Sequence, residues 1–191
     1  SGSMSADAGG GATSLDLAIT AARTAVDQMR PTDYVGVMTF DDTYSWVVEP
    51  VLAADKETVK AQIAAIAEGG GTTIRPALKE ALAGAAGCEA GIRHVILLTD
   101  GQGESTDYRE VTNAYNEAGV TLSAVAVGDG ADRRLLERLA EKGGGRYYYS
   151  DLASDIPKIF AQEVFLSSDT YLQNGEFGLS VYGGEITRGL F

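Results

Sequence analysis

Three polar segments of the sequence carry oxygen ligands at predicted ends of secondary-structure elements. Residues 1–5 include three serines, residues 72–73 are two threonines that follow a run of glycines, and Asp100 directly follows an apolar run. Hydroxyl and carboxylate oxygens are hard ligands, of the kind that Mg²⁺, Ca²⁺ and Mn²⁺ prefer. The pattern therefore indicates a divalent-cation site in which Asp100 supplies the carboxylate.

Asp100 stands where ligands usually bind in an α/β protein. Residues 95–98 are four consecutive branched apolar residues, which is typical of a strand buried on both faces. Gly101 follows and leaves the backbone free to turn. In open α/β sheets, ligands bind outside the carboxyl ends of the strands. A solvated turn aspartate is the alternative interpretation.

The elements that position these segments follow from periodicity and from capping residues. Ser14 is the predicted N-cap of a first helix, which ends before Pro31. Residues 34–40 and 45–52 are predicted strands joined by so short a link that they must be antiparallel, and Pro50 marks the second as an edge strand. Further helices are predicted over 55–66, 74–86, 107–118 and 132–142 and from a cap at Ser154 to about 166, and further strands over 95–100, 121–127 and 146–149.

Alternating helices and apolar strands predict the fold class. We expect an α/β fold with a doubly wound, mostly parallel, Rossmann-like sheet, one antiparallel edge strand and helices on both faces. The 191 residues, with 45% hydrophobic content, fit one domain. A formal charge of −12 argues against nucleic acid and anionic lipid as partners, and it favours cationic ones. No apolar run approaches the roughly 20 residues that span a bilayer, so no membrane contact is expected of this chain.

Five short motifs occur in order at these predicted boundaries, and together they resemble a known family. The chain is similar to von Willebrand factor type A domains, and within that family to bacterial membrane-anchored members. The resemblance covers residues 1–167 and leaves 168–191 as a C-terminal extension with a possible strand over 177–182. The motifs are Phe40-Asp41, Trp46-Val47-Val48, Gly70-Gly71-Thr72, Leu98-Thr99-Asp100-Gly101 and Val127-Gly128-Asp129-Gly130.

The resemblance implies a metal-ion-dependent adhesion site, the ion that it binds, the partner group that it recognises and the compartment of the protein. By position, Ser1, Ser3, Thr72 and Asp100 match the family's metal ligands, and the ion is Mg²⁺, or Mn²⁺ or Ca²⁺. In the family, an acidic side chain of a protein partner completes the coordination. The resemblance also implies part of a membrane-anchored bacterial protein, in an extracytoplasmic compartment.

The sequence departs from the family at its first residue. The family's first aspartate should lie two residues before Ser1, at the end of an apolar strand, and this sequence begins after both. The first central strand is therefore expected to be absent from this chain, and metal binding to be weak or absent. Either the strand over 177–182, from this chain or from a partner in a homodimer, fills the gap, or the natural protein carries the strand upstream. We prefer the second explanation.

Three function classes follow. The first is a non-enzymatic protein-binding module, with Asp41 and Gln102 as possible rim residues of its site. The second, a metal-assisted hydrolase or phosphoryl-transfer enzyme, lacks a second carboxylate or base of suitable placement. The third is a scaffold domain without metal function. Thr72 is also open to a simpler interpretation, because Gly-Thr before a helix is an ordinary N-cap.

Overall fold

The computed structural model describes residues 13–67, 71–169, 177–183 and 188–189. None of the described helices has both the length and the apolar character needed to cross a membrane. The helices are α1 Ser14–Gln28, α2 Lys56–Ala64, α3 Ile74–Gly87, α4 Arg109–Ala118, α5 Arg133–Lys142 and α6 Ile156–Asp169. The strands are β1 Tyr34–Phe40, β2 Tyr44–Leu52, β3 Ile92–Thr99, β4 Val120–Val127, β5 Gly144–Ser150, β6 Phe177–Gly183 and β7 Arg188–Gly189.

One twisted sheet organises the described residues, in the order β2-β1-β7-β6-β3-β4-β5. Strands β1, β6, β3, β4 and β5 run parallel, β2 is antiparallel to β1 at one edge, and β7 pairs antiparallel with the ends of β1 and β6. One apolar core lies under α1, α2 and α6, and a second lies under α3, α4 and α5. The predicted fold class, with its antiparallel edge strand and two covered faces, is confirmed.

The central position of the sheet, between β1 and β3, is occupied by β6 of the same chain. Ser180 pairs with Gly36 of β1 on one side and with Val95 of β3 on the other. The backbone groups on the facing edges of β1 and β3 therefore have partners, which the burial of both strands requires. Because this chain supplies the strand, no second copy is needed to fill the gap.

The first helix is capped by Thr13, one residue before the predicted cap at Ser14. The hydroxyl of Thr13 accepts a hydrogen bond from the backbone N–H of Asp16 at 3.2 Å, and the Asp16 carboxylate accepts one from the Thr13 N–H at 2.9 Å. This reciprocal pair is a capping box, which satisfies two free helix donors at once. Ser14 is buried in the first turn, so the prediction of Ser14 as the cap was wrong.

The last helix also begins later than predicted. Residues Ala153–Asp155 form a short 3₁₀ turn, and α6 follows it, so Ser154 does not cap the helix. The hydroxyl of Ser150 donates to the Asp155 carboxylate at 2.6 Å and receives the N–H of Leu152 at 3.1 Å. These bonds hold the turn against the end of β5, and they replace the predicted serine cap.

Candidate functional site

Asp100 lies at the carboxyl end of β3 and is 9% exposed. The hydroxyl of Thr99 accepts the N–H of Gly101 at 3.0 Å, so the chain turns directly after Asp100. The N–H of Asp132, at the start of α5, donates to the Gly101 carbonyl at 3.2 Å. At Gly130, an added Cβ would lie only 2.8 Å from the Asp100 carbonyl oxygen. Asp100 is thus fixed between the end of β3 and the loop that follows β4.

Thr72 reaches the same edge from the start of α3. A Cβ on Gly101 would lie 2.5 Å from the Thr72 hydroxyl oxygen, closer than real Cβ contacts come. Glycine is therefore required at position 101, because any side chain there would displace Thr72. The hydroxyl of Thr72 and the residue next to Asp100 are in direct contact. Two of the four sequence-predicted ligands, Thr72 and Asp100, are brought to one place.

The loop between β1 and β2 wraps the segment that carries Thr72. The N–H of Thr73 donates to the Asp41 carbonyl at 2.8 Å. Gly71, with φ of +73°, lies so close to Asp42 that an added Cβ would be 2.9 Å from its backbone nitrogen. Asp41, a predicted rim residue, accepts the N–H of Thr43 at 2.9 Å through its carboxylate. The Asp42 carboxylate therefore lies beside Gly71, one residue before Thr72.

Gln102 and Glu104 follow Asp100 in the loop after β3, and both are held in place. Gln102, the other predicted rim residue, donates its side-chain N–H to the Gly130 carbonyl at 2.5 Å. Glu104, which sequence reasoning missed, receives the Arg75 N–H at 3.2 Å and the Tyr108 hydroxyl. Burial and the Glu104 carboxylate raise the pKa of Tyr108 far above its ordinary value, so the phenol remains protonated and donates. The loop is thereby tied to the start of α3.

The oxygen atoms of the described residues could supply one side of a binding site for a hard cation. Thr72 and Asp100 contribute a hydroxyl and a carboxylate, the oxygen types that Mg²⁺ and Mn²⁺ accept. Ser1 and Ser3 lie outside the described residues. Within 13–67, 71–169, 177–183 and 188–189, no three His, Cys, Asp or Glu residues come together in a way that could hold a metal ion. An ion held here would need the loop serines and further oxygen ligands.

A second polar cluster is buried beneath α6, and the sequence analysis did not predict it. Glu163 is fully buried and is bonded by four side chains. Its carboxylate lies 2.7 Å from His94 Nε2 and receives hydrogen bonds from Ser123 Oγ at 2.5 Å, Arg146 Nε at 2.8 Å and the Tyr148 hydroxyl at 2.6 Å. These residues tie α6 to β3, β4 and β5. The cluster fixes how the last helix packs on the sheet.

A signal for this cluster was present in the sequence. Glu163 falls on the same helical face as Ile156, Ile159 and Phe160, the apolar residues that identified the helix. A lone carboxylate on a buried face requires partners, because an unpaired buried charge is strongly unfavourable. Its partners come from three strands, so their identity depends on strand order and could not be inferred from spacing alone.

The Glu163 cluster predicts acid sensitivity. Burial of Glu163 raises its pKa, but the hydrogen bonds and charges of His94, Arg146 and Ser123 outweigh it and hold the pKa of the carboxyl well below its ordinary value of 4.5. A carboxyl with a lowered folded-state pKa stabilises the protein above its unfolded-state pKa, and this stabilisation is lost as the pH falls. We expect the melting temperature of the wild type to fall as the pH drops below about 5, and the advantage of wild type over Glu163→Gln to shrink with it. Melting curves of the wild type and of Glu163→Gln across this pH range check the prediction. A difference in melting temperature that does not depend on pH would contradict it.

The described fold is a doubly wound α/β domain with Thr72 and Asp100 at the carboxyl edge of its sheet, the edge at which domains of this class bind ligands. The family model for the von Willebrand factor type A domain matches residues 1–162. The chain therefore belongs to the von Willebrand factor type A domain family.

The chain is similar to proteins from bacteria and from an animal. YfbK of Escherichia coli, an uncharacterised protein, is 26% identical over 149 residues, which cover 73% of this chain and 26% of YfbK. An aerotolerance-related membrane protein of Bacteroides fragilis matches with a TM-score of 0.70 at 20% identity, covering 87% of this chain and 94% of that one. Proximal thread matrix protein 1 of the mussel byssus, in a form with a zinc-occupied MIDAS motif, matches with a TM-score of 0.69 at 24% identity, over 79% of this chain and 40% of that one. This chain thus spans about a quarter of YfbK, and the structural matches establish the fold alone.

Proposed function

We propose that this domain is a non-enzymatic protein-binding module that holds a divalent cation at the carboxyl edge of its sheet. The proposed ligands are Ser1, Ser3, Thr72 and Asp100. When bound, the cation supplies a Lewis-acidic centre that accepts an acidic side chain of a partner protein. The observation that carries the proposal is the contact of the Thr72 hydroxyl with Gly101, beside Asp100.

The chemistry of the described residues supports recognition of an acidic group through a cation. The Asp42 carboxylate lies beside Gly71, next to Thr72, and Asp100 directly follows β3, within a chain of net charge −12. A partner's carboxylate would therefore be repelled unless a cation lies between them. The ligand set has one carboxylate and three hydroxyls, which is a weak set for Mg²⁺. We therefore expect dissociation constants of about a millimolar, within the range of weakly charged oxygen sites.

A binding role agrees better with the described residues than an enzymatic one. A hydrolase would require a base or a second carboxylate placed to activate water. His94 is the chain's one histidine, and it is buried in the Glu163 cluster, where it contacts Glu163 and Thr121. It is therefore engaged away from the carboxyl edge, and the metal-assisted hydrolase is not favoured by any contact at the edge.

The domain's setting is also proposed. The structural match to a membrane protein of Bacteroides fragilis supports placement of this domain in a membrane-anchored bacterial protein. We propose that the domain faces an extracytoplasmic compartment, where divalent cations at millimolar levels would fill a weak site. Secretion reporters fused to the natural gene would test this placement.

Calorimetric titration with Mn²⁺ and Mg²⁺ tests the proposed site. We expect weak, saturable heat for the wild type and none for Asp100→Ala, because the single carboxylate of the set is lost. Gly101→Ala should weaken binding at least tenfold, because its methyl group would displace the Thr72 hydroxyl. Asp27→Ala is the matched control, since Asp27 is an exposed aspartate of α1 paired with Lys60, and it should bind as the wild type does.

Two results would contradict the proposal. Wild-type heat that persists in Asp100→Ala would place the cation elsewhere on this acidic chain. Equal losses in Asp100→Ala and Asp27→Ala would show that ion binding responds only to net charge. Far-ultraviolet circular dichroism of each variant establishes that the fold is retained.

A further inference from the structure

A cleft separates the segment that begins α4 from the outer face of α5. Its volume is about 380 Å³, and it adjoins a shallower hollow of about 540 Å³ that extends toward Gln102. The two share Thr106, Asp107, Leu135 and Arg138 in their walls. The first of them forms a trough along α5, which we name the α4/α5 cleft. Its volume lies within the range of sites that bind ligands.

The floor of the α4/α5 cleft is apolar. Leu135 and Leu139 of α5 are 5% and 1% exposed, and Tyr108 is 6% exposed. The phenol of Tyr108 is already bonded to Glu104, so it presents its ring to the cleft wall without a free polar group. A ligand that lies in this cleft would gain by burying apolar side chains.

Along α5, the rim of the α4/α5 cleft carries two cations, whereas the adjoining hollow is lined by Glu104, Asp107 and Asp132. Arg138 and Lys142 lie one helical turn apart on α5, both exposed. Within the described part of the chain, neither side chain forms an ion pair or hydrogen bond. A third cation, Arg109, is neutralised by Asp107 at 2.7 Å. Two unpaired positive charges thus border an apolar floor on a protein whose net charge is −12.

We propose that the α4/α5 cleft binds an acidic peptide segment of a partner protein, with carboxylates on Arg138 and Lys142 and apolar side chains over Leu135 and Leu139. The charges of the rim select an anionic ligand, and the apolar floor selects one with hydrophobic side chains. The trough follows α5, which is about 15 Å long, and this length suits a peptide better than a small anion. Its concave shape disfavours a flat lipid surface.

This proposal is independent of the cation at Asp100. The two unpaired rim charges belong to α5, and of the proposed metal ligands that the structure describes, neither Thr72 nor Asp100 lines the cleft. Binding is therefore expected in the presence of a chelator, which removes divalent cations. The two proposals can then fail separately.

Fluorescence anisotropy with a labelled acidic peptide tests the proposal. The probe is a peptide of about eight residues in which Glu and Leu alternate, spanning roughly 25 Å when extended. The titration uses EDTA and about 0.15 M salt, at which charges more than about 8 Å apart are screened. We expect saturable binding by the wild type and at least a tenfold weaker affinity for Arg138→Glu/Lys142→Glu.

The matched control reverses two charges on the other face of the sheet. Arg23 of α1 and Lys158 of α6 are exposed, and Arg23→Glu/Lys158→Glu carries the same net charge as the cleft variant. We expect the control to bind within twofold of the wild type. If the cleft variant does not fold, Arg138→Ala/Lys142→Ala replaces it, since alanine favours the helix.

Several outcomes would overturn the proposal. They are the absence of saturable binding by the wild type, equal losses in the cleft variant and the control, and equal affinity for a peptide with Gln in place of Glu. Displacement of the peptide by inorganic phosphate or by vesicles of anionic lipid at equal charge concentration would assign the cleft to those ligands instead. Loss confined to the cleft variant supports the peptide site.

Discussion

Replacing Ser180 with proline is expected to lower the free energy of unfolding by roughly 3 kcal/mol. Ser180 lies in β6, paired with Gly36 of β1 and with Val95 of β3. In a strand that lies between two other strands, each backbone N–H donates a hydrogen bond to one of the neighbours. Proline has no backbone N–H and cannot donate this bond. The substitution would leave a buried carbonyl of a neighbouring strand without its donor, and the ring would also crowd the ladder.

Urea unfolding monitored by circular dichroism measures this effect. Ser180→Ala is the control, because alanine keeps the backbone N–H at the same position and should change the free energy of unfolding by less than about 1 kcal/mol. Equal midpoints for Ser180→Pro and wild type would show that β6 does not occupy the centre of the sheet in solution. A shared loss in both variants would assign the effect to the side chain.

Replacing Glu163 with glutamine is expected to cost about 3 kcal/mol of stability. The change keeps the size of the side chain but removes the charge that Arg146 and His94 face. Removing one member of a buried charged cluster leaves the others without compensation. Arg146 is 41% exposed, so water partly solvates its charge once Glu163 is neutral. The expected loss of stability is therefore at the low end of the range for breaking a buried ion pair.

The same urea experiment separates this effect from a general loss of negative charge. Glu141→Gln, at an exposed position of α5, should shift the free energy of unfolding by no more than about 0.5 kcal/mol. A Glu163→Gln protein as stable as wild type would mean that the cluster contributes no net stability, as some buried ion networks do not.

Local patterns were sufficient for the helices and for strands β1 to β6, apart from two helix caps and the short β7, and for the edge that carries Asp100. The apolar run 95–98 and the glycine after Asp100 predicted a buried strand with a polar end, and all four residues of that run are at most 1% exposed. Thr72 was predicted to reach the same edge, and its contact with Gly101 is consistent with that. The assignment of Ser1 and Ser3 as ligands stays a prediction.

Long-range pairing was the part that sequence could not settle. An alternating segment such as 177–182 predicts a strand but not its neighbours, because strand order is decided by tertiary packing. The partners of Glu163 are separated from it by up to 69 residues along the chain, so no spacing rule connects them. Capping was missed at Thr13 for a simpler reason: Ser14 is as good a cap by type, and only the reciprocal bonds with Asp16 distinguish the two.

The position of β6 also determines when the sheet can be completed. Its ladder partners Val35 and His94 both pair with Leu179, so the central contacts join segments more than 80 residues apart. Contacts of such separation slow folding, because the loop between them must close before the pairing is gained. Refolding of the described residues is therefore expected to be limited by the placing of β6 between β1 and β3. While residues 177–183 are unpaired, β1 and β3 expose facing edges that can pair with another extended chain.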